Sequence, residues 1–238
     1  MSNPPIRFNA KTHIGRVRQT NEDSILVLPD QKIWVVADGM GGHEGGDYAS
    51  QLVIDSIALL PPHMEAAQML GQIRQALQSA HRTILQESET RQATMGATVV
   101  ALVLADGHFG ALWAGDSRLY RLRDGMMELL TTDHSLVASL VEAGHLSWDE
   151  AEKLPQSNAV TRAVGVGEEL QLDKIRGDVR PGDRFLLCSD GLNKYATIAE
   201  LGAAIQCVPI EVVTDKLIQM ALDRGGADNV SVIVVDVG

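Results

Sequence analysis

At 238 residues with 45% hydrophobic side chains, the chain is long enough to bury one substantial core, and no run approaches the roughly 20 apolar residues of a membrane span. A formal net charge of −11, from 20 Lys and Arg against 31 Asp and Glu, argues against a general nucleic-acid binder, which needs a basic footprint. Residues 1–11 are polar with two prolines and so are not a signal peptide, and two distant cysteines in apolar surroundings, Cys188 and Cys207, read as buried free thiols of a reduced compartment. A soluble cytoplasmic protein is expected.

Residues 24–28 and 32–37 are short apolar runs on either side of Pro29-Asp30, which predicts a hairpin. Within the second run residues 33–37 are apolar throughout, as in a strand covered on both faces, and Asp38 is expected at its exit. Residues 45–60 carry Tyr48, Ala49, Leu52, Val53, Ser56, Ile57 and Leu60 at helical spacing, and Pro61-Pro62 ends that helix. A longer helix follows over 65–87, with Met69, Ile73, Ala76, Leu77, Ala80 and Ile84 on one face.

Four runs then follow at 97–105, 108–115, 118–123 and 126–130, separated by Asp106-Gly107, Gly115-Asp116-Ser117 and Asp124-Gly125. Turns this close together suit antiparallel hairpins. Residues 135–143 and 147–153 read as short helices, the second opened by a capping-box pattern, Ser147 with Glu150. Strands are expected at 171–179 and 183–189, helices at 198–205 and 210–224, and a last strand at 230–237. Trp34 and Trp113 fall in strand-like runs and are expected in the core. The order of elements is α+β: a central antiparallel β-sandwich flanked by a helix pair on each face, α-β-β-α, in one domain spanning 1–238. It argues against a doubly wound nucleotide fold.

The acids are placed with more pattern than the net charge alone conveys. Arg18-Gln19-Thr20-Asn21-Glu22-Asp23, Asp38-Gly39-Met40-Gly41-Gly42-His43, Ser189-Asp190-Gly191 and Ala227-Asp228-Asn229 each set an acid beside turn residues or at a strand end, and Gly115-Asp116-Ser117-Arg118 lies between them. Carboxylates beside glycine suit a hard, oxygen-preferring cation such as Mg²⁺ or Mn²⁺. Several acids sharing one site need such a cation to offset their repulsion. The glycines Gly39, Gly41 and Gly42 are followed by no Lys-Ser/Thr pair, which argues against a nucleotide P-loop.

In these motifs the chain resembles the metal-dependent protein serine/threonine phosphatases of the PPM, or PP2C, type, in their compact bacterial form. The matching pieces run in family order over nearly the whole chain: residues 15–23, 36–42, Gly96-Ala97-Thr98, Ala114-Gly115-Asp116-Ser117-Arg118, Asp133-His134-Ser135, residues 161–165, residues 188–192 and Asp228-Asn229-Val230-Ser231. Any one of them alone is weak, since Asp-Gly pairs are common turns; the ordered set is specific.

The resemblance implies roles position by position. Asp38 is similar to the carboxylate that bridges two metals, with the Gly39 carbonyl a ligand of one. Asp190 and Asp228 resemble ligands of the second, Glu22 an acid that holds that metal through water, and Asp23 the acid that orients metal-bound water. Arg18 resembles the arginine that grips the substrate phosphate, with Arg16 the nearby alternative. Asp116, with Asp190, resembles the pair that binds a weaker third metal. Some larger members carry a His after the Asp-Gly pair, proposed as general acid; here that position is Met40, which has no proton to donate. His43 has no support as a ligand or acid, His134 is expected near the substrate, and Asn229 is expected to brace the Asp228 loop. Residues 135–160 correspond to a mobile flap, with Gly144 and Pro155 able to serve as hinges.

The activity implied is removal of phosphate from Ser and Thr side chains of proteins by direct attack of metal-bound hydroxide, with Mn²⁺ or Mg²⁺ as cofactor. The implied partners are phosphorylated targets of a Ser/Thr protein kinase, with no nucleic acid and no membrane, and a monomer is expected. The same fold acting on another phosphomonoester, or on an anti-sigma antagonist, stays open. A non-catalytic binding module would have lost acids that are all present here.

Overall fold

The computed structural model describes residues 5–41, 45–62, 66–151, 153–154 and 159–238, so the readings made of Gly42, His43 and Pro155 lie outside the described residues. Eleven strands are described: β1 (Ile6–His13), β2 (Asp23–Leu28), β3 (Ile33–Gly41), β4 (Met95–Ala97), β5 (Val99–Ala105), β6 (His108–Ala114), β7 (Arg118–Arg123), β8 (Met126–Leu129), β9 (Asp173–Asp178), β10 (Arg184–Cys188) and β11 (Val230–Val237). The helices are α1 (Gly45–Ala58), α2 (Ala66–Arg91), α3 (Ala138–Glu142), α4 (Trp148–Ala151), α5 (Asp190–Asn193), α6 (Ile198–Ile205) and α7 (Ile210–Asp223).

The strands form two sheets, ordered β1-β11-β10-β7-β8 and β2-β3-β5-β6-β9, with β4 beside β3. All of these ladders are antiparallel. Side chains alternate across a strand, so a strand covered on both faces must be apolar at every position. β3 obeys this: Ile33, Val35 and Ala37 pack under α1 and α2, while Trp34 and Val36 enter the layer between the sheets. In the other sheet, Phe185 and Leu187 of β10 face that layer, and Leu186 and Cys188 face α6 and α7. Phe109 and Phe185 meet across it with ring centres 5.4 Å apart. The order is therefore α-β-β-α, and Trp34 and Trp113 are both core.

Helical spacing sets the outer layers. Ala49, Val53 and Ile57 of α1 and Met69, Ile73, Leu77, Ala80 and Ile84 of α2 are buried on one sheet. Leu201 and Ile205 of α6, with Val213, Leu217 and Ile218 of α7, are buried on the other. α6 opens with a complete capping box: Thr197 accepts the Glu200 N–H, and the Glu200 carboxylate accepts the Thr197 N–H. At the expected box before α4, the Glu150 carboxylate accepts both the N–H and the hydroxyl of Ser147. No helix among the described residues is long and apolar enough to cross a membrane.

Four local expectations change. The polar start contains a strand: β1 pairs with β11 from Ile6–Val237 to His13–Val230. It is an edge strand whose alternate residues serve α7, where Asn9 donates to Ile210 O at 2.8 Å and accepts from Thr214 Oγ1 at 2.9 Å. β3 does not end at Asp38 but runs on to Gly41. The Asp190 segment is a one-turn helix rather than a turn. Cys188 is buried, but Cys207, just past α6, is exposed.

A buried ion pair lies where α4 meets the sandwich. The Arg118 guanidinium takes Asp133 bidentately, with Nε at 2.9 Å and Nη2 at 2.6 Å, and both residues are almost inaccessible to solvent. The Trp148 ring of α4 lies 5.0 Å from the same guanidinium. Removing one partner of such a pair strands a buried charge at a cost of about 3–5 kcal/mol. Asp133→Ala is therefore expected to lower the unfolding free energy by that amount, read as a lower urea midpoint with an unchanged m-value; a loss below about 1 kcal/mol would show that the pair is not structural.

Candidate metal centre

β2 and β3 pair with Asp23 directly opposite Asp38, which sends both carboxylates to one face. β3 then exchanges partners. It leaves β5 after Val36–Val100 and takes up β4 with Gly39 opposite Ala97. At the exchange the Asp38 N–H donates to Thr98 Oγ1 at 3.1 Å, and the Asp38 carbonyl accepts the Thr98 N–H at 2.8 Å. A Cβ on Gly39 would stand 2.1 Å from Gly46 O, so α1 approaches this strand only because residue 39 has no side chain. The Gly39 N–H donates to Glu22 O at 3.0 Å, fixing Glu22 beside Asp38.

The other sheet supplies the remaining acids. β10 ends at Cys188, Ser189 precedes α5, and Asp190 opens it. A Cβ on Gly191 would lie 1.9 Å from Asn229 O, so its absence lets α5 pack on the segment before β11 that carries Asp228. Asn229 ties that segment down, donating to Ile14 O and Thr20 O and accepting the Glu22 N–H at 2.9 Å. Asp116 follows Gly115 in the buried turn between β6 and β7, where Gly115 has φ +111°.

Arg18, Glu22, Asp38, Gly39, Asp116, Asp190 and Asp228 all line one basin of about 490 Å³, together with Met40, Thr98, Val160, Lys194 and Asn229. Of the two candidate arginines, Arg18 is in the basin, and Arg16 pairs at 3.6 Å with Asp223 of α7. Asp23 lies one layer behind the wall, its Oδ2 accepting the Ser189 hydroxyl at 2.7 Å. His134 does not line the basin. Its Nδ1 accepts the Gly115 N–H at 3.2 Å, its Nε2 is 3.3 Å from Asp173 Oδ2, and its ring stacks on Trp113. It braces the turn that presents Asp116.

Burial and mutual repulsion govern the charges. Asp38 and Asp116 are held well above the usual carboxylate range, first by burial and then by neighbouring acids, Asp23 and Asp190 foremost for Asp38 and Asp190 for Asp116. Burial lifts Asp23 to about 7, against the opposing pull of the Ser189 and Ser231 hydroxyls. Glu22 is also raised by burial, with Arg18 pulling it back.

Two cations answer this charge. Arg18 pairs with Asp228 through Nε at 2.9 Å and Nη2 at 3.0 Å, and Lys194 pairs with Asp190. As these side chains stand, no three acids among the described residues close around a common point. The donors nevertheless fit a hard divalent ion. They are all oxygens, and the buried Oδ1 atoms of Asp23 and Asp190 have no hydrogen-bond partner.

Sequence reasoning passed over Lys194 and gave Thr98 no role. The signal for Lys194 was its position four residues after Asp190, which becomes contact only once α5 is known to be helical.

The family model described as Protein phosphatase 2C matches residues 11–206. The serine/threonine protein phosphatase PstP of Mycobacterium tuberculosis is 36% identical over 234 residues, which are 98% of this chain and 45% of that protein. The chain thus spans about half the length of this relative. The serine/threonine phosphatase stp of Listeria innocua is 34% identical over 95% of this chain and 94% of its own length. Among solved structures, PppA, described as a key regulatory component of T6SS in Pseudomonas aeruginosa, has a TM-score of 0.92 at 40% identity, covering 99% of both chains. The catalytic domain of PstP in complex with two manganese ions has a TM-score of 0.88 at 35% identity over 98% of both chains.

The raised pKa of Asp23 contributes, with those of Asp38 and Asp116, to the pH dependence of the protein in EDTA. Between about pH 4 and pH 7 the folded chain holds a proton that the unfolded chain has released, so stability falls as pH rises through that window. Urea melts in EDTA are expected to lose stability between about pH 5 and pH 8, and Asp23→Asn is expected to make that fall shallower. A stability that rises across the window would contradict the assignment.

Proposed function

The chain belongs to the protein phosphatase 2C family, and from that premise we propose that it removes phosphate from phosphoserine and phosphothreonine side chains of proteins, using two Mn²⁺ or Mg²⁺ ions and opposing a Ser/Thr protein kinase. The observation that carries this reading is the meeting of Glu22, Asp38, Asp116, Asp190 and Asp228, drawn from both sheets, with Arg18 in one basin. The manganese-bound PstP domain supports the choice of metal.

Asp38, centred among the other acids, is the carboxylate that two ions would share, with the Gly39 carbonyl beside it. Asp190 and Asp228 would hold the second ion, with Glu22 behind it. When bound, paired divalent ions lower the pKa of water and neutralise phosphoryl oxygens. A third, weaker ion would fall to Asp116 and Asp190, where Lys194 already stands.

The chain's own groups divide the remaining work. The Arg18 side chain is 49% exposed, so its guanidinium can leave Asp228 and take two phosphoryl oxygens with the same planar fork. Asp23, one layer behind the wall with a buried, partnerless Oδ1, is the acid that would orient metal-bound water. Met40 in the basin wall has no proton to give, so the proton for the leaving alkoxide would come from metal-bound water or another group. His134 acts through the Gly115–Asp116 turn rather than on substrate.

Residues 135–160 serve as the flap of a single catalytic domain spanning 1–238. Support comes from Val160 in the basin wall and Trp148 on Arg118. The substrates are cytoplasmic phosphoproteins met by a monomer, and the likeness to PppA favours control of a T6SS as the setting.

Phosphate release from a phosphothreonine peptide tests this reading. Turnover is expected in Mn²⁺ and not in EDTA. Asp190→Asn is expected to lower kcat/KM at least about a hundredfold, the scale of losing one electrostatic stabiliser, and Arg18→Ala chiefly to raise KM. Turnover in EDTA, or an active Asp190→Asn variant, would overturn it.

A further inference from the structure

Lys194 is the one cationic side chain in the basin wall besides Arg18 among the described residues. It follows α5 at the fourth position after Asp190, so its stem folds back over that single turn toward the acids. Its ammonium bonds Asp190 Oδ2 and stands 3.8 Å from Asp228 Oδ2, and Asp116 also acts on it. Only 21% of the side chain is exposed, so this is not the solvated i, i+4 pair of an ordinary helix surface.

A third divalent ion in this basin would depend on Asp116 and Asp190. Lys194 already takes one Asp190 oxygen and places a positive charge beside the other acids. Its repulsion of a divalent ion at that range is twice that between unit charges, and the low exposure limits screening by salt. The ammonium is also tethered, so dilution or a chelator does not remove it. Arg18 does not take this part: its fork points to Asp228, and its exposure leaves it free to exchange partners.

We propose that Lys194 takes the place of a third divalent ion, so that this chain carries two exchangeable metals and one built-in cation, held on Asp190 beside Asp116 and Asp228. The inference rests on the metal-centred reading of the basin and deepens it.

Metal uptake without substrate tests it. Mn²⁺ bound per chain is counted by calorimetry and by metal analysis after dialysis, for wild type, Lys194→Met, Lys194→Arg and the double variant Lys194→Met/Asp116→Asn. Wild type and Lys194→Arg are expected to saturate at two ions. Lys194→Met is expected to take up a third, and the double variant to return to two. Lys194→Gln, which keeps a hydrogen bond to Asp190 without the charge, gives the same count should the Met variant fail to fold. A third ion on wild type, or two on every variant, overturns the role of Lys194 and leaves the metal centre standing. No uptake by any of them overturns the metal centre, and this inference with it.

Discussion

Five carboxylates, Glu22, Asp38, Asp116, Asp190 and Asp228, line one basin, and Asp23 lies directly behind it. Like charges at such separations repel by amounts comparable with the whole stability of a domain once water is excluded. The fold meets this in three ways. It lets Asp23, Asp38 and Asp116 hold protons more tightly than usual. It sets Arg18 and Lys194 against Asp228 and Asp190. And it buries hydroxyls, those of Ser189 and Thr98, against Asp23 and the Asp38 backbone. The donors are all oxygens, the kind of set whose mutual repulsion a hard divalent cation would offset.

The sandwich makes such crowding tolerable, because its rigidity comes from elsewhere. The layer between the sheets and the two outer helix layers are apolar and buried. They supply the burial free energy that offsets a repulsive end, at about 25 cal/mol per Å² of apolar surface. The acids stand at strand ends and at the β3 partner exchange, where a ladder changes hands and side chains can aim out of the sheet. Gly39 and Gly191 then bring α1 and α5 against backbone closely enough that a methyl group would not fit at either position.

Much of this was legible in the sequence, for a physical reason. α1, α2 and α7 each present one clean period to one kind of surroundings, and β3 opens on an unbroken apolar run, so the pattern of apolar residues dictates the element. The basin was legible because turn glycines and acids recur together in a fixed order. β1 was missed although Ile6, Phe8 and Ala10 alternate with Arg7, Asn9 and Lys11. Its polar face is satisfied by side chains of α7 some 200 residues away, among them Glu211 and Thr214, and no local pattern announces that. Cys207 was misread because its apolar neighbours, Ile205 and Val208, turn inward while it follows the end of α6 and turns out. α5 is four residues long, too short to show a period, and Lys194 was lost with it.

That loss matters, since Arg18 and Lys194 are cations of different kind in one basin. A guanidinium on a half-exposed stem is planar, weakly hydrated and able to trade a carboxylate for a phosphoryl group of similar shape. An ammonium on a largely buried stem is a point charge with no such exchange open to it, because leaving would strand Asp190 and cost its own contacts. The first is suited to come and go with substrate, and the second to stay. A site that needs positive charge throughout a catalytic cycle, and more of it when phosphate arrives, is served by having one of each.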